Sequence, residues 1–175
     1  MSGPLLVLVG PPGAGKTTVG TAVARRFGVP FRDTDADVEE VAGATIADLF
    51  LTSGEPHFRA LEEQAVARAL AGHDGVLALG GGAVLSATTR QRLTGAACPV
   101  VWLDVDVASA AKRVGLSRDR PLLAVNPRAM LRQMLEERAP LYAEVSTATV
   151  ATAGRAREDV IADVTALVST APGAR

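Results

Sequence analysis

The sequence predicts an α/β domain in which helices cover both faces of a parallel sheet. Short apolar runs rich in β-branched residues recur along the 175 residues and alternate with stretches of helical spacing. The runs lack the polar alternation of a half-exposed sheet, which is typical of strands buried on both faces. A chain of this length suits one domain with a sizeable core.

Strands are predicted at 5–9, 75–80, 99–105 and 148–152, with a weaker candidate at 30–35. Helical spacing is found at 17–27, 55–71, 86–93, 107–114 and 127–144, and an apolar stripe around 160–168 marks a last helix. Ligands of such sheets bind beyond the carboxyl ends of the strands. We therefore expect the functional residues directly after strands, within one domain at 1–170 followed by a flexible tail at 171–175.

Composition narrows the classes of partner and compartment. The formal charge of −1 gives no electrostatic reason to expect nucleic acid or an anionic membrane as a partner. A single cysteine, Cys98, excludes an internal disulfide and fits a reducing compartment. The first residues, MSGPLLVLVG, lack the features of an export signal or a membrane span. We expect a cytoplasmic protein.

A phosphate-binding pattern follows the first predicted strand. Residues 10–17, GPPGAGKT, match G-x-x-x-x-G-K-[ST]. Glycines let backbone N–H groups cradle phosphate oxygens, and the next helix points its positive end at the same anion. Lys16 is expected to reach the β- and γ-phosphates, and the Thr17 hydroxyl to ligate Mg²⁺. The expected nucleotide contacts here are Gly13, Ala14, Gly15, Lys16, Thr17 and Thr18.

This pattern alone does not choose a reaction. Related domains include GTPases, ATP-driven machines and regulatory switches, but the chain has no room for the appended subdomains of most such machines. It also lacks an N-K-x-D element that would select guanine. A small-molecule kinase and a nucleotide-binding module remain.

Two aspartates close the second predicted strand, in the segment Asp33-Thr34-Asp35. Carboxylates at i and i+2 of an extended segment point to the same side of the chain. One could organise a hydrated Mg²⁺, which takes few protein carboxylates, while the other accepts the proton of a substrate hydroxyl. An equally good interpretation is an Asx turn or a helix N-cap, because a helix is expected to begin near Asp35.

Three glycines, Gly80, Gly81 and Gly82, follow the predicted strand at 75–80. They allow a small ligand to approach the backbone closely and leave N–H groups to donate to it. A flexible exit from the strand is the alternative interpretation.

Arginines form the last cluster. Singly, Arg59, Arg120 and Arg138 are each expected on the surface, but two that converge on a cleft could clamp a carboxylate. A third on a mobile loop could cover the transferring phosphoryl group, and the polar segment 115–121 has the character of such a lid.

In order along nearly the whole chain, these segments resemble the shikimate kinase family. The matching pieces are GPPGAGKTT, DTD, TIADLF, GEPHFRALEEQAV, VLALGGGAV, DRPLL and ERAPLY. The resemblance implies a P-loop NTPase fold of the nucleoside-monophosphate-kinase type, with a five-stranded parallel sheet flanked by helices. It also implies a substrate-binding helical region at about 33–62 and a lid at about 115–125.

The resemblance assigns roles residue by residue. Lys16, Asp35 and Arg120 are the expected catalytic residues, and Thr17 and Asp33 the expected Mg²⁺ contacts. The expected shikimate contacts are Asp35, Phe50, Phe58, Arg59, Glu62, Gly80, Gly81, Gly82 and Arg138. Within that set the two arginines hold the shikimate carboxylate and Glu62 orients Arg59. The two phenylalanines supply apolar walls, although they also have a plain core interpretation.

The chain departs from the family pattern after the last predicted strand. The loop that usually holds adenine carries an Asn-Pro element in the family, whereas residues 152–157 here read TAGRAR. A guanidinium can stack on a purine, so Arg155 or Arg157 could substitute for the missing proline. Arg113 matches a position near adenine, and Arg120 the lid arginine that faces the phosphates.

The implied reaction is ATP-dependent phosphorylation of the shikimate 3-hydroxyl, giving 3-phosphoshikimate and ADP on the route to chorismate and the aromatic amino acids. Mg²⁺ is the implied cofactor, ATP and shikimate the partners, and a monomer the expected state. A gluconate or nucleoside-monophosphate kinase and a binding module without turnover are the alternatives. Convergence of Asp35, Arg59 and Arg138 beside the phosphate loop would distinguish a kinase from a binding module.

Overall fold

A computed structural model describes residues 3–114 and 126–171. Over these ranges, five strands form one sheet in the order β2-β3-β1-β4-β5, and every neighbouring pair is parallel. The strands are β1 Leu6–Val9, β2 Phe31–Asp33, β3 Val76–Ala78, β4 Val100–Asp104 and β5 Ala148–Ala151. The predicted five-stranded parallel sheet is confirmed, including the weak candidate that became β2.

Eight α-helices flank this sheet within the described residues. They are α1 Lys16–Phe27, α2 Thr34–Ala42, α3 Ile46–Thr52, α4 Glu55–Gly72, α5 Ala87–Thr94, α6 Val107–Val114, α7 Pro127–Val145 and α8 Arg157–Thr170. The spacing of apolar residues predicted six of them to within a few residues. It missed the bounds of α2 and α3, which are short and lie in the helical region at 33–62. None of the helices in the described part of the chain is long and apolar enough to cross a membrane.

The core consists of two apolar layers on opposite faces of the sheet. Leu6 and Leu8 of β1 face the layer formed with α1, α6 and α8, while Val7 and Val9 face the layer formed with α4, α5 and α7. All four side chains are at most 1% exposed. Side chains alternate between the two faces of a strand, so a strand covered on both sides must be apolar throughout. A smaller third cluster joins α2, α3 and α4.

The strand order brings three loops to one edge of the sheet. β1 lies between β3 and β4, and β2 lies beside β3. Leu8 of β1 and Asp33 of β2 both pair with Ala78 of β3, so the three strands end at nearly the same level. The loops that follow these strands are therefore neighbours, as expected for ligand binding at the carboxyl edge of a parallel sheet.

Candidate active site

The loop of residues 10–15, which we call the phosphate loop, joins β1 to α1 and leads into a helix without a side-chain cap. Gly13 and Gly15 adopt positive φ angles of 80° and 92°. L side chains rarely adopt this conformation, so the loop requires glycine there. Gly15 is the N-cap residue of α1 and provides no side chain to satisfy the first N–H groups of the helix. These donors can bind an anion, and the helix dipole favours one there.

Lys16 begins α1 and folds back over the phosphate loop. Its Nζ donates to the carbonyl oxygens of Gly10 at 2.7 Å and Pro11 at 3.0 Å. The ammonium group is thus held above the same loop whose N–H groups can receive phosphate oxygens. Thr17 and Thr18, the next two residues, are exposed on the first turn of the helix.

Thr17 and Asp33 meet between the first helix and the end of β2. The Thr17 hydroxyl donates to Asp33 Oδ2 at 3.1 Å. A hydroxyl and a carboxylate oxygen are donors suited to Mg²⁺, which takes few ligands from proteins and keeps several waters. The described residues contain no cluster of three or more His, Cys, Asp or Glu that could hold a metal by themselves. The pair therefore fits a magnesium ion that arrives with a nucleotide.

Asp33 is also the N-cap of α2. Its Oδ1 accepts from the backbone N–H of Asp35 at 3.0 Å, and its own backbone is extended while Asp35 is already helical. The expectation that both aspartates share one side of an extended segment was therefore wrong for Asp35. The N-cap interpretation and the metal interpretation use different oxygens of the same carboxylate, so they are compatible.

Gly80, Gly81 and Gly82, which we call the glycine loop, follow β3 and run into a 3₁₀ turn at Ala83–Leu85. Each position is crowded by a different functional segment. A β-carbon added at Gly81 would lie 2.8 Å from Pro12 Cδ of the phosphate loop, and one at Gly82 would lie 2.6 Å from Arg59 Cζ. One at Gly80 would lie 2.6 Å from Glu62 Oε1. The absence of side chains therefore allows close contact, and the interpretation as a merely flexible strand exit does not account for this crowding.

Glu62 is the centre of the charged groups on this side of the sheet. It is 3% exposed on α4, and burial raises the pKa of its carboxyl group. Arg59 opposes that shift through an ion pair, with Nη1 donating to Glu62 Oε2 at 2.7 Å. Asp35 raises this pKa further and Arg138 lowers it. We refer to Asp35, Arg59, Glu62 and Arg138 as the Glu62 cluster.

Arg59 is held from three sides on α4. Besides Glu62, its Nε and Nη2 each lie 3.2 Å from Glu55 Oε1, and its guanidinium lies 5.1 Å from the centre of the Phe58 ring. Contacts of this kind fix the fork of an arginine side chain in a single orientation. A preorganised guanidinium next to the glycine loop is suited to bind a carboxylate or a phosphate.

Phe58 and Phe50 lie beside this arginine, with ring centres 4.9 Å apart. Phe58 is buried in the cluster of α2, α3 and α4, whereas Phe50 is only half-buried and packs against that cluster. Phe58 therefore belongs to the core and also supports Arg59. Phe50 keeps an accessible face, which is compatible with an apolar wall of a ligand site.

Three comparisons identify the family. A family model described as shikimate kinase matches residues 12–169. The chain belongs to the shikimate kinase family. A shikimate kinase of Salinispora arenicola is 57% identical over 166 residues, covering 95% of this chain and 98% of that one. Another, of Saccharopolyspora erythraea, is 61% identical over 152 residues and 86% of both chains.

The fold agrees with solved members of the shikimate kinase family. The structure of a shikimate kinase from Acinetobacter baumannii in complex with shikimate has a TM-score of 0.90 and 38% identity. The match covers 96% of this chain and 93% of that chain. The expected P-loop kinase fold is thereby confirmed.

The arginines expected near adenine are placed unequally. Arg113, on α6, donates to the Gly13 carbonyl oxygen at 2.9 Å and reaches Thr152 Oγ1 at 3.4 Å, so it bridges the phosphate loop and the end of β5. Arg155 instead pairs with Asp163 of α8 at 2.8 Å. Arg157 is exposed at the start of α8. Arg113 therefore lies beside the phosphate loop, whereas Arg155 binds residues at the end of β5 and in α8.

Two expected elements cannot be placed. Arg120 and the lid at about 115–125 lie outside the described residues, as do the last four residues of the expected tail. Arg120 therefore remains a prediction of the family resemblance.

Sequence reasoning missed two residues that connect the site. The Thr34 hydroxyl accepts from the Gly80 N–H at 3.2 Å, and the Tyr142 hydroxyl donates to the Gly81 carbonyl oxygen at 2.5 Å. Thr34 is the middle letter of DTD and Tyr142 the last letter of ERAPLY. No local pattern reveals these partners, because the bonded residues are 46 and 61 positions apart in the chain.

Proposed function

We propose that this chain transfers the γ-phosphoryl group of ATP to the 3-hydroxyl of shikimate, giving 3-phosphoshikimate and ADP. The observation that carries the proposal is the Glu62 cluster. Asp35, Arg59 and Arg138 come from α2, α4 and α7 and surround one buried carboxyl group. Arg59 pairs with Glu62 at 2.7 Å, Asp35 and Glu62 both lie against Gly80, and Arg138 lowers the pKa of Glu62. A nucleotide-binding module without an acceptor has no need to gather two carboxyl groups and two guanidinium groups beside its phosphate loop.

The two arginines supply the acceptor end of the site. We assign Arg59 and Arg138 to the carboxylate of shikimate, since guanidinium groups bind carboxylates through paired, charge-assisted hydrogen bonds. Binding at that end of the ring orients the hydroxyl at the other end, so that binding energy is used for positioning. The backbone N–H groups of Gly81 and Gly82 are assigned to the ring, and Phe50 and Phe58 to its apolar surroundings.

Asp35 is assigned to the reacting hydroxyl. Residues of the glycine loop lie against it, since a β-carbon at Gly80 would lie 3.3 Å from its carboxyl carbon. A carboxylate there can accept the hydroxyl proton as the oxygen attacks, which is the contribution expected of a general base in phosphoryl transfer. The transfer is direct and in line, without a covalent enzyme intermediate.

The nucleotide end uses the phosphate loop. Gly13, Ala14, Gly15 and the first turn of α1 are assigned to the phosphates, with Lys16 on the β- and γ-oxygens. Thr17 directly, and Asp33 through water, would hold Mg²⁺, which when bound would neutralise charge at the same oxygens. Arg120 is assigned to the transferring group from the lid. Arg113 is assigned to the adenine side, while Arg155 and Arg157 are weaker candidates there.

ADP release with a panel of acceptors tests the reaction. Mg·ATP is combined with shikimate, quinate, gluconate, AMP, CMP or water alone, and shikimate-dependent release is expected. Asp35→Asn and Arg138→Ala are expected to abolish most of it. Turnover with gluconate or AMP instead would be consistent with ATP binding at the phosphate loop and would contradict shikimate as the acceptor. If no acceptor leads to ADP release, a nucleotide-binding module without turnover is favoured.

We further infer one kinase domain over residues 1–170 that acts in the cytoplasm as a monomer. The single cysteine and the net charge of −1 support this setting. Light scattering during gel filtration measures the oligomeric state, and a mass of twice the chain mass would contradict the monomer.

A further inference from the structure

A hydroxyl group on α7 lies at the centre of the connections between the acceptor residues. Tyr142 is 1% exposed, and its ring packs against Trp102 with centroids 5.7 Å apart. Its hydroxyl donates to the Gly81 carbonyl oxygen at 2.5 Å. Arg138, one helical turn earlier, is close enough to this hydroxyl to lower its pKa. The hydroxyl proton is used on Gly81, so the hydroxyl oxygen remains an acceptor for a donor such as the Arg138 guanidinium.

The bond to Gly81 also sets the direction of the next N–H group. The Gly81–Gly82 peptide is trans, so the Gly81 carbonyl and the Gly82 N–H point in opposite directions. Tyr142 draws the carbonyl toward α7, and the Gly82 N–H is consequently directed away from α7. Without the bond this peptide could flip more easily, because glycine residues lack the steric limits of other residues.

Other hydrogen bonds hold the segment from Gly80 to Leu85 at its two ends. Thr34 accepts from the Gly80 N–H at the start. Arg90 donates to the carbonyl oxygens of Val84 at 2.8 Å and Leu85 at 3.2 Å at the end, and pairs with Glu144 of α7 at 3.0 Å. Two backbone bonds of 3.0 Å, from the Ala83 N–H to the Gly80 carbonyl oxygen and from the Leu85 N–H to the Gly82 carbonyl oxygen, close the turn itself. Neither uses the Gly81 carbonyl oxygen, which Tyr142 holds.

We propose that Tyr142 is a positioning residue for the acceptor: its hydroxyl orients the Gly81–Gly82 peptide and Arg138 together, so that a backbone donor and a guanidinium face the same ligand. This inference rests on the proposed function for the identity of the ligand. The hydroxyl keeps its proton throughout the working range, since burial raises the pKa of Tyr142 to about 12.

Tyr142→Phe tests the inference because it removes the hydroxyl and keeps the ring. One neutral hydrogen bond is worth about 0.5–1.5 kcal/mol, so the KM for shikimate is expected to rise about 2- to 12-fold. The KM for ATP is expected to stay unchanged. Val145→Ala is the control, because Val145 lies on the same helix in the same apolar layer, is 3% exposed and has no part in the site. It is expected to lower the Tm and leave both KM values unchanged.

Hydrogen exchange at residues 80–85 gives a readout that needs no turnover. Exchange is expected to quicken in Tyr142→Phe and not in Val145→Ala. If the wild-type chain phosphorylates shikimate and Tyr142→Phe matches it in KM and exchange, the inference is overturned and the proposed function stands. An equal rise of the shikimate KM in Val145→Ala would also overturn the inference, because it would show that loss of packing alone accounts for the effect of Tyr142→Phe. A wild-type chain inactive with shikimate would overturn the proposed function and the acceptor role of Tyr142 together.

Discussion

Thr34 and Gly80 join two loops that are far apart in the chain. The fully buried Thr34 hydroxyl accepts from the Gly80 N–H at 3.2 Å, and so attaches the start of α2 to the glycine loop. Thr34 lies between Asp33, which contacts Thr17, and Asp35, which belongs to the Glu62 cluster. The bond therefore fixes the expected metal contacts relative to the residues proposed to bind the acceptor.

Replacement of Thr34 tests that connection. Thr34→Val keeps the shape but leaves a buried N–H without an acceptor, which is expected to lower the free energy of unfolding by about 1–3 kcal/mol. Thr34→Ser retains the hydroxyl and is the matched control, with a smaller loss and a nearly normal KM for shikimate. Urea unfolding and steady-state kinetics measure the two effects. Equal stabilities for both variants would show that the bond contributes little.

Gly82→Ala is expected to impair the acceptor site more than the fold. The new β-carbon would lie 2.6 Å from Arg59 Cζ, so the guanidinium would have to shift and give up part of its contacts with Glu55 and Glu62. Displacing it sacrifices a charge-assisted bond to the acceptor of about 1.5–3 kcal/mol, so kcat/KM for shikimate should fall at least about tenfold.

Gly72→Ala is the control for that change. Gly72 closes α4, and an added β-carbon would meet no atom within 4 Å. This variant is expected to be neutral or slightly more stable, because glycine costs about 0.5–1 kcal/mol in a helix. Full activity in Gly82→Ala would contradict the close contact between the glycine loop and Arg59.

The two roles of Asp33, as the N-cap of α2 and as an expected Mg²⁺ contact, can be tested separately. Asp33→Asn keeps a good N-cap and removes the charge, whereas Asp33→Ala removes both. Asp33→Ala is therefore expected to lose about 1 kcal/mol of stability that Asp33→Asn retains. Both variants should need a higher Mg²⁺ concentration for half-maximal activity. If neither variant shifts the Mg²⁺ dependence, Asp33 is only a helix cap.

Because of Glu62, we expect one contribution to the free energy of unfolding to fall as pH rises, which is opposite to the usual behaviour of a carboxyl group. Burial raises the pKa of Glu62 in the folded chain, so the folded state holds a proton that the unfolded state has already released. Between the ordinary carboxyl pKa and the raised value, the contribution of Glu62 to stability falls as pH rises. Glu62→Gln should lack this component.

Urea unfolding from about pH 4 to about pH 7 checks this sign. As pH rises, the unfolding free energy of the wild type should fall relative to that of Glu62→Gln. A shift in the opposite direction would mean that the ion pair with Arg59 outweighs burial. In that case the pKa of Glu62 would be lowered.

Tyr142 can be titrated directly because it is the only tyrosine in the chain. The tyrosinate absorbance of the folded protein should appear near pH 12, well above the ordinary value of 10.0. Since the folded state keeps this proton longer than the unfolded state, stability falls as pH rises through that window. An absorbance change at the ordinary value in the folded protein would show that the hydroxyl is not buried.

Much of the fold could be predicted because apolar patterning is local. The continuous apolar run of β1 must be buried on both faces, so it had to be a central strand wherever the rest of the chain lay. The phosphate loop was equally readable, since its glycines and Lys16 act through neighbouring backbone atoms. The start of α2 was expected near Asp35, but its end and the bounds of α3 were not predicted, because only residues 43–45 separate the two helices.

The parallel α/β domain, the phosphate loop and the residue types proposed for the acceptor could all be predicted from the amino-acid pattern. How those residues are connected became visible only in the folded chain. The bonds from Thr34 to Gly80 and from Tyr142 to Gly81 span 46 and 61 residues. Side chains so far apart are brought together by the order of strands in the sheet and the packing of α7. A hydroxyl in the sequence does not reveal its partner, because hydrogen bonds depend on distances that exist only after folding.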